Sequence, residues 1–276
     1  MLEDEIDASR PDPARVYDFF LRHVGGKSYY PVDEQAGSQV EEMWPGVSVA
    51  ARANRAFVLR STRWLAKEAG VRQFLDIGTG IPSEPNLHQV AQAVAPEARV
   101  VYTDNRRIVL LYAEALMSSA PEGRTAYLHA DFADPESILR SRELGDVLDL
   151  DRPVALSLNA LLHYIADDPS TGFSAHELVR RYTSALPAGS YLVLTHVTPD
   201  FDPPTWRKVT EGDRSITGQT GQIRDRAEVE RFFEGLDLVD PGLVPPHRWH
   251  PDGPVPEEAD DVTVSMWAGV GRVPGS

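Results

Sequence analysis

In Phe74-Leu75-Asp76-Ile77-Gly78-Thr79-Gly80 a short apolar run carries a carboxylate near its end and then breaks into two closely spaced glycines. A turn of this kind leaves backbone bare, so a ligand can approach it without meeting a Cβ. A dinucleotide cradle needs a third glycine, where helix packs on sheet, and a helix N-terminus aimed at pyrophosphate. Ser83 stands in that third place, and Pro82-Ser83-Glu84-Pro85-Asn86 postpones the helix. A ligand that lacks phosphate and carries positive charge suits Asp76 better. S-adenosylmethionine, with an ammonium and a sulfonium, meets both conditions. The blander reading is a tight strand-to-helix turn with no ligand.

Three further groups lie where strands are expected to end. Val101-Tyr102-Thr103-Asp104 closes on a carboxylate able to accept from both ribose hydroxyls, though a lone aspartate there also reads as a helix cap. Asp104 follows Asp76 by 28 positions, beyond the ~20 of a compact fingerprint; the extended segment 81–86 accounts for the excess. In His129-Ala130-Asp131-Phe132, Asp131 is placed to accept from an adenine amino group and Phe132 to border the base. In Leu158-Asn159-Ala160-Leu161-Leu162-His163-Tyr164, Asn159 is polar where an apolar run leaves the sheet, and is expected to border the methionine part of the cofactor. His163 has a pKa suited to general base work, although a single histidine more often fills a core or surface position. His247 and His250 supply two nitrogens only, and there is no cysteine, so no metal site is expected. Gly25-Gly26-Lys27 lacks the preceding strand of a phosphate loop; Lys27 is expected at a pocket rim or on the surface.

These residues need a scaffold. Asp12-Pro13 reads as an N-cap with proline in the first turn, followed by Val16, Phe19, Phe20 and His23 at helical spacing. Val32, Ala36, Val40 and Met43 predict a second helix. Ala50, Ala53, Phe57 and Trp64 predict a third, closed by Gly70. Residues 1–70 are therefore expected to form a helical cap and residues 71–276 the core, the two making one compact domain. From there strands are predicted at 74–77, 99–103, 126–129, 154–158 and 191–196, alternating with helices, which implies a parallel sheet with right-handed crossovers. The rhythm then breaks. After a capping box at Asp225-Arg226-Ala227-Glu228, strands at 236–239 and 262–270 are joined only by proline-rich Pro245 to Asp261. No helix fits there, so the last strand is expected to return antiparallel. The expected fold is α/β and Rossmann-like, of the class I methyltransferase type: a seven-stranded, mostly parallel sheet with an antiparallel last strand. Nicotinamide dehydrogenases usually continue in parallel.

Composition narrows the partners. The chain has 276 residues, within reach of one large α/β domain, and a formal net charge of −15. Strong acidity repels phosphate backbones and anionic lipid, so neither nucleic acid nor a membrane is expected as partner. No run reaches the ~18 apolar residues of a membrane span. The acidic start, Met1-Leu2-Glu3-Asp4-Glu5, is unlike a secretory signal; a cytoplasmic location follows as an expectation, with a homodimer possible.

With these residues in place, the chain resembles the actinobacterial S-adenosyl methyltransferase family, formerly a domain of unknown function. The resemblance runs from about Pro13 to Gly271. It is carried by Ala14-Arg15-Val16-Tyr17-Asp18, Gly25-Gly26-Lys27, Phe74 to Gly80, Tyr102-Thr103-Asp104-Asn105, Ala130-Asp131-Phe132-Ala133-Asp134-Pro135, Leu162-His163-Tyr164, Gly189-Ser190-Tyr191-Leu192-Val193-Leu194 and Pro241-Gly242-Leu243-Val244. It implies the fold named above and S-adenosylmethionine binding, and names no acceptor. Ser28-Tyr29-Tyr30 and Arg106-Arg107 depart from the family pattern, the first on the acceptor side, the second near the adenosine end. The expected division of labour gives Asp76, Gly78, Thr79 and Gly80 to the methionine and ribose side, with Asn159. Asp104 serves the ribose hydroxyls and Asp131 with Phe132 the adenine, with Asn105 also counted among the cofactor-binding residues. Tyr17, Lys27 and Tyr29 close over a small-molecule acceptor. His163 is the candidate base if one is needed. Two other readings are a non-catalytic sensor of S-adenosylmethionine or another nucleoside, with no open space beside the methyl group, and an NAD-dependent oxidoreductase, with a parallel final strand.

Overall fold

Side chains alternate between the two faces of a strand, and that alternation decides where everything else in this protein goes. Phe74 enters one buried cluster, while Leu75 and Ile77 enter another on the opposite face. The computed structural model describes residues 7–116, 118–211 and 221–275. Among them, strands β1 (Gln73–Ile77), β2 (Arg99–Asp104), β3 (Arg124–His129), β4 (Ala155–Asn159), β5 (Tyr191–Val197), β6 (Asp237–Leu238) and β7 (Met266–Arg272) form one seven-stranded sheet. Its order is β3-β2-β1-β4-β5-β7-β6. The first five strands are parallel, and β7 runs antiparallel between β5 and β6. A parallel return needs a crossover, usually helical, of a dozen or more residues; the proline-rich segment before β7 provides none.

The helices of the N-terminal part are α1 (Pro13–Phe20), α2 (Pro31–Met43) and α3 (Val47–Lys67). Within the alternating region come α4 (Leu87–Val94), α5 (Arg107–Leu116), α6 (Pro135–Leu139), α7 (Arg142–Gly145) and α8 (Ala175–Ser184). Then follow α9 (Pro203–Glu211), α10 (Arg226–Glu230) and α11 (Asp261–Val264). Asp12 caps α1, its side chain accepting from the Ala14 and Arg15 amides, and Asp225 with Glu228 forms the capping box that opens α10. Helix α1 ends at Phe20, short of His23, and a boundary late in the chain differs more from the sequence pattern. Val262-Thr263-Val264 reads as strand by its β-branched residues, but these residues form α11. The Asp260 carboxylate accepts from the Thr263 amide at 2.7 Å, which closes a helical turn before β7 can begin. Helix α9 is not foreseen by the sequence pattern.

Helix α3 is more than a cap. Phe57, Leu65 and Ala66 are fully buried in the cluster that includes Phe74, Val100, Tyr102, Ala155 and Val193. A division at residue 70 therefore passes through a packed core. Helices α1 and α2 pack in a third cluster that also takes in Val47, Ala50, Ala51 and Ala53 of α3, with Trp206 and Met266. They are tied to each other by the buried Arg15–Asp33 ion pair at 2.7 Å. By strand alternation and register, Asp76, Asp104, Asn159 and Thr195 share the face of Phe74, Tyr102, Ala155 and Tyr191. That is the face α3 covers.

Candidate active site

At the carboxyl edge of the sheet, below α1 and α3, lies a cavity of about 450 Å³. Asp76, Gly78, Thr79, Gly80, Asp104, Asn105, Asp131, Phe132, Asn159 and Tyr17 line it. The carboxyl edge is where open α/β sheets leave room for ligands.

The glycine turn is fastened to β2. The amides of Gly78 and Thr79 donate to the Thr103 carbonyl at 2.8 and 3.3 Å. Gly78 has φ +75°, and a Cβ there would lie 2.8 Å from Leu161 Cδ1, so the close approach of the β1 and β4 loops requires glycine. One residue further, the Gly80 amide donates to Asp104 Oδ2 at 3.1 Å, and the Arg106 amide donates to Oδ1 at 2.9 Å. These bonds hold the carboxylate in place and leave further lone pairs for a ligand. Burial pushes the Asp104 carboxyl above its ordinary range, against those two amide bonds. Helix α4 starts only at Leu87, so the turn presents no helix N-terminus to a pyrophosphate.

Next to it, the β2 and β3 loops are joined. Asn105 Nδ2 donates to Asp131 Oδ2 at 3.0 Å, and Asp131 Oδ1 accepts from the Ala133 amide at 2.8 Å. The Phe132 ring stacks on Tyr182, whose hydroxyl donates to the Phe132 carbonyl. What Phe132 offers the cavity is therefore small.

Several lining residues carry no role in the sequence pattern, Asn54, Arg55 and Tyr164 among them, while Arg106 lines the cavity as its place near the adenosine end leads one to expect. Asn54 and Arg55 come from α3, Arg106 from the β2–α5 loop and Tyr164 from the β4 loop. Asn54 sits in a hydrogen-bonded chain. The Ala160 amide donates to Thr195 Oγ1 at 2.8 Å, Thr195 Oγ1 donates to Asn54 Oδ1 at 2.7 Å, and Asn54 Nδ2 donates to the Tyr17 hydroxyl at 2.7 Å. It ties Tyr17 of α1 to β5 and holds Ala160 at φ +50°. Arg106 donates to Asp12 Oδ2 at 2.7 Å, linking the cap to the core at the cavity rim. Asn159 Oδ1 and Nδ2 are buried with no hydrogen-bond partner among the described residues, and the residue faces the cavity.

The cavity lining mixes charged and neutral groups. Asp76 carries a carboxyl that burial pushes up to about 7, with the Arg55 guanidinium opposing the shift. Leu21, Val58, Leu161, Ile165 and Phe173, with Tyr17 and Tyr164, supply the neutral part of the lining. Burial raises both phenols, Tyr164 to about 12, so both remain protonated donors at neutral pH.

Three expected residues lie elsewhere. His163 is not on the cavity wall; its ring packs near His196, 5.7 Å between centroids. Burial, with Arg224 adding to it, lowers His163 to about 3, which leaves it too weak a base for work near neutral pH. Its turn is held from behind. The fully buried Arg224 donates to the carbonyls of Leu162 and Ile165 and to His196 Nε2. Since arginine can only donate, His196 carries its proton on Nδ1, which donates to the Val197 carbonyl. Lys27 is exposed. Tyr29 packs edge-on against Phe19, 5.2 Å between centroids, because the loop after Gly26 is drawn inward by the Ser28 amide donating to the buried Asp18.

Comparison with known proteins accords with this geometry. The family model described as S-adenosyl methyltransferase matches residues 1–274. No curated protein matches. Among solved structures, a DUF574 family protein from Streptomyces avermitilis is 47% identical, with a TM-score of 0.90 over 97% of this chain and 99% of that one. A methyltransferase candidate from Thermobifida fusca is 37% identical, with a TM-score of 0.86 over 98% and 97%. An S-adenosylmethionine-dependent methyltransferase from Mesorhizobium loti is 17% identical, with a TM-score of 0.51 over 77% and 96%, and shares the fold. The chain belongs to the S-adenosyl methyltransferase family: it is a Rossmann-like methyltransferase whose cofactor is S-adenosylmethionine.

Proposed function

We propose that the cofactor lies across the ends of β1, β2 and β3, and that the methyl group passes to a small-molecule acceptor held between α1, α3 and the β4 loop. The observation that carries this reading is one cavity whose lining combines a glycine turn and acidic side chains (Asp76, Asp104 and Asp131) with neutral aromatic and aliphatic ones (Tyr17, Tyr164, Leu161 and Phe173). S-adenosylmethionine supplies an electrophilic methyl group on a sulfonium sulfur, so the protein's part is alignment and exclusion of water. In this reading Asp104 accepts from the ribose hydroxyls, with Asn105 bracing Asp131 at the adenine edge. Gly78, Thr79 and Gly80 give backbone room beside the ribose and methionine. Asp76 offsets positive charge, and Asn159 completes the hydrogen bonding of the methionine part. Tyr17 and Tyr164 orient the acceptor as donors. The described acceptor-side residues bring no base that is free at neutral pH, so the acceptor arrives already nucleophilic, as an ionised oxygen or a free amine.

We place the protein in the cytoplasm, with no nucleic-acid or membrane partner. Its acidity supports this, and no helix among the described residues is long and apolar enough to cross a membrane. A homodimer is compatible with the fold, and sedimentation tests it. The experiment for the acceptor class uses methyl-labelled S-adenosylmethionine, the full chain and fractionated cell extract. Label is expected in the small-molecule fraction. Label in nucleic acid or protein instead would overturn the acceptor assignment.

A further inference from the structure

The amino edge of the sheet, opposite the cofactor cavity, carries a second hollow of about 230 Å³. It lies where α3 gives way to β1 and where β4 and β5 begin, beside the end of β7. Strand β1, five residues long, sets the two sites about 16 Å apart at ~3.3 Å per residue. Three arginines from three separate segments converge on the hollow, Arg72, Arg152 and Arg272, in a chain whose net charge is −15. No carboxylate lines it among the described residues. Arg72 Nη1 donates to the carbonyls of Ala66 and Val71 at 2.7 and 3.0 Å, and its Nε to Glu97 at 2.8 Å, which leaves Nη2 uncommitted. The loop that carries Arg152 is fixed by the buried Gln73. Its Nε2 donates to the carbonyls of Asp149 and Arg152 at 2.8 and 3.2 Å, and its Oε1 accepts from the Asp149 amide at 2.7 Å. Arg272 stands in register between Tyr191 and Asp237. Neither the Arg152 nor the Arg272 guanidinium has a hydrogen bond or ion pair among the described residues, and the Tyr191 hydroxyl on the same wall makes no hydrogen bond. Since Glu97 answers Arg72, the hollow keeps two positive charges without a counter-ion.

We propose that this hollow binds a small phosphate monoester, with Arg152 and Arg272 on its oxygens and Arg72 Nη2 and the Tyr191 hydroxyl as further donors. The planar guanidinium fork matches phosphate oxygens through two parallel bonds. A phosphate monoester carries close to two negative charges at neutral pH, which equals the uncompensated charge of the hollow. A carboxylate or sulfonate brings only one. The volume lies below the ~300 Å³ at which sites for larger ligands begin, so it admits a phosphoryl head on a short stem and not a nucleotide. The site is separate from the cofactor cavity, and the inference does not rest on the methyl-transfer reading.

The test is calorimetry on the full chain at constant ionic strength with two probes of one shape, phenyl phosphate and benzenesulfonate. At pH 7.5 wild type is expected to bind phenyl phosphate about tenfold or more tighter than benzenesulfonate. In the double variant Arg152→Gln, Arg272→Gln, affinity for phenyl phosphate falls about tenfold or more. Both side chains are exposed, so the melting temperature in phosphate-free buffer holds. Arg180→Gln removes an exposed arginine that is paired with Glu177 on α8, and leaves phenyl phosphate affinity as in wild type. Equal affinity of wild type for the two probes overturns the proposal, as does the absence of binding at millimolar phenyl phosphate. Unchanged affinity in the double variant, or an equal loss in Arg180→Gln, overturns it too. Flotation with vesicles that contain phosphatidic acid separates the two sources of such a head group. The protein is expected to stay in the soluble fraction; flotation that the double variant loses would overturn the assignment to a small soluble ester.

Discussion

At the scale of single residues, Asp76 ties pH to both stability and binding. Burial raises its carboxyl to about 7, whereas an unfolded aspartate titrates near ~3.9. The native state therefore holds the proton more tightly than the unfolded one. Stability from this group is fullest below the unfolded value, declines as pH climbs, and levels off above about 7. Asp76→Asn is accordingly expected to melt a few degrees above wild type at pH 8, with a narrower gap at pH 5. The same substitution should weaken S-adenosylhomocysteine and abolish the rise in its affinity between pH 6 and 8. An unchanged pH slope in the variant would count against a role for the carboxylate. His163 makes the opposite prediction. Its ring should stay neutral from pH 5 to 8 by nitrogen NMR, and His163→Gln should leave S-adenosylhomocysteine affinity intact. Residue identity announces these groups unevenly. Asp76 and Asp104 are legible because each ends an apolar run, and the residue that leaves a strand must face the carboxyl edge. Arg55 is not, because α3 also carries Arg52, Arg60 and Arg63. Arg60 goes to the carbonyls of Pro246 and Trp249, Arg63 to Asp252 and Arg52 toward Glu258. Only the crossing of α3 over the sheet tells them apart. The direction of His163 likewise depends on His196 and Arg224, far away in sequence.

At the scale of elements, the turns and caps can be weighed separately. Gly78 and Gly80 both have positive φ, but only Gly78 meets a neighbour within 4 Å of its would-be Cβ. Gly80→Ala should cost only backbone strain, about 1–2 kcal/mol. Gly78→Ala adds a collision with Leu161, so its loss in urea unfolding should be larger, and S-adenosylhomocysteine affinity should fall with it. Equal losses would mean that the close approach of the β1 and β4 loops contributes nothing. The Arg15–Asp33 pair between α1 and α2 is almost fully buried on both sides. Asp33 also accepts from the amides of Asp12 and Tyr30. Arg15→Ala would strand that carboxylate, and removing one partner of a buried pair costs about 3–5 kcal/mol. The strand ends, the capping box at Asp225 and the antiparallel last strand follow from local pattern. The start of β7 does not, because one side-chain-to-amide bond at Asp260 outweighs the strand propensity of the residues after it.

At the scale of the whole molecule, the layer order explains why the cap cannot be treated as an appendage. Sequence pattern separates residues 1–70 from the rest because periodicity changes from 3.6 to alternation near residue 72. Periodicity, however, reports local geometry and not which surfaces meet. Phe57, Leu65 and Ala66 leave almost nothing exposed against β1, β2 and β4, so α3 is one layer of the α/β/α sandwich while α1 and α2 are its lid. A fragment of residues 71–276 would bare the α3 face of the sheet, with Phe74, Val100 and Tyr102 on it, a patch of the kind that soluble monomers avoid. It is expected to unfold without cooperativity and to bind a hydrophobic dye strongly. A fragment of residues 46–276, which keeps α3, should retain a cooperative thermal transition but bind S-adenosylhomocysteine more weakly, having lost Tyr17 and the Asp12–Arg106 link. If the shorter fragment melts cooperatively with little dye binding, the sheet is self-sufficient, and α3 with its Arg55 belongs to a separable lid rather than to the core.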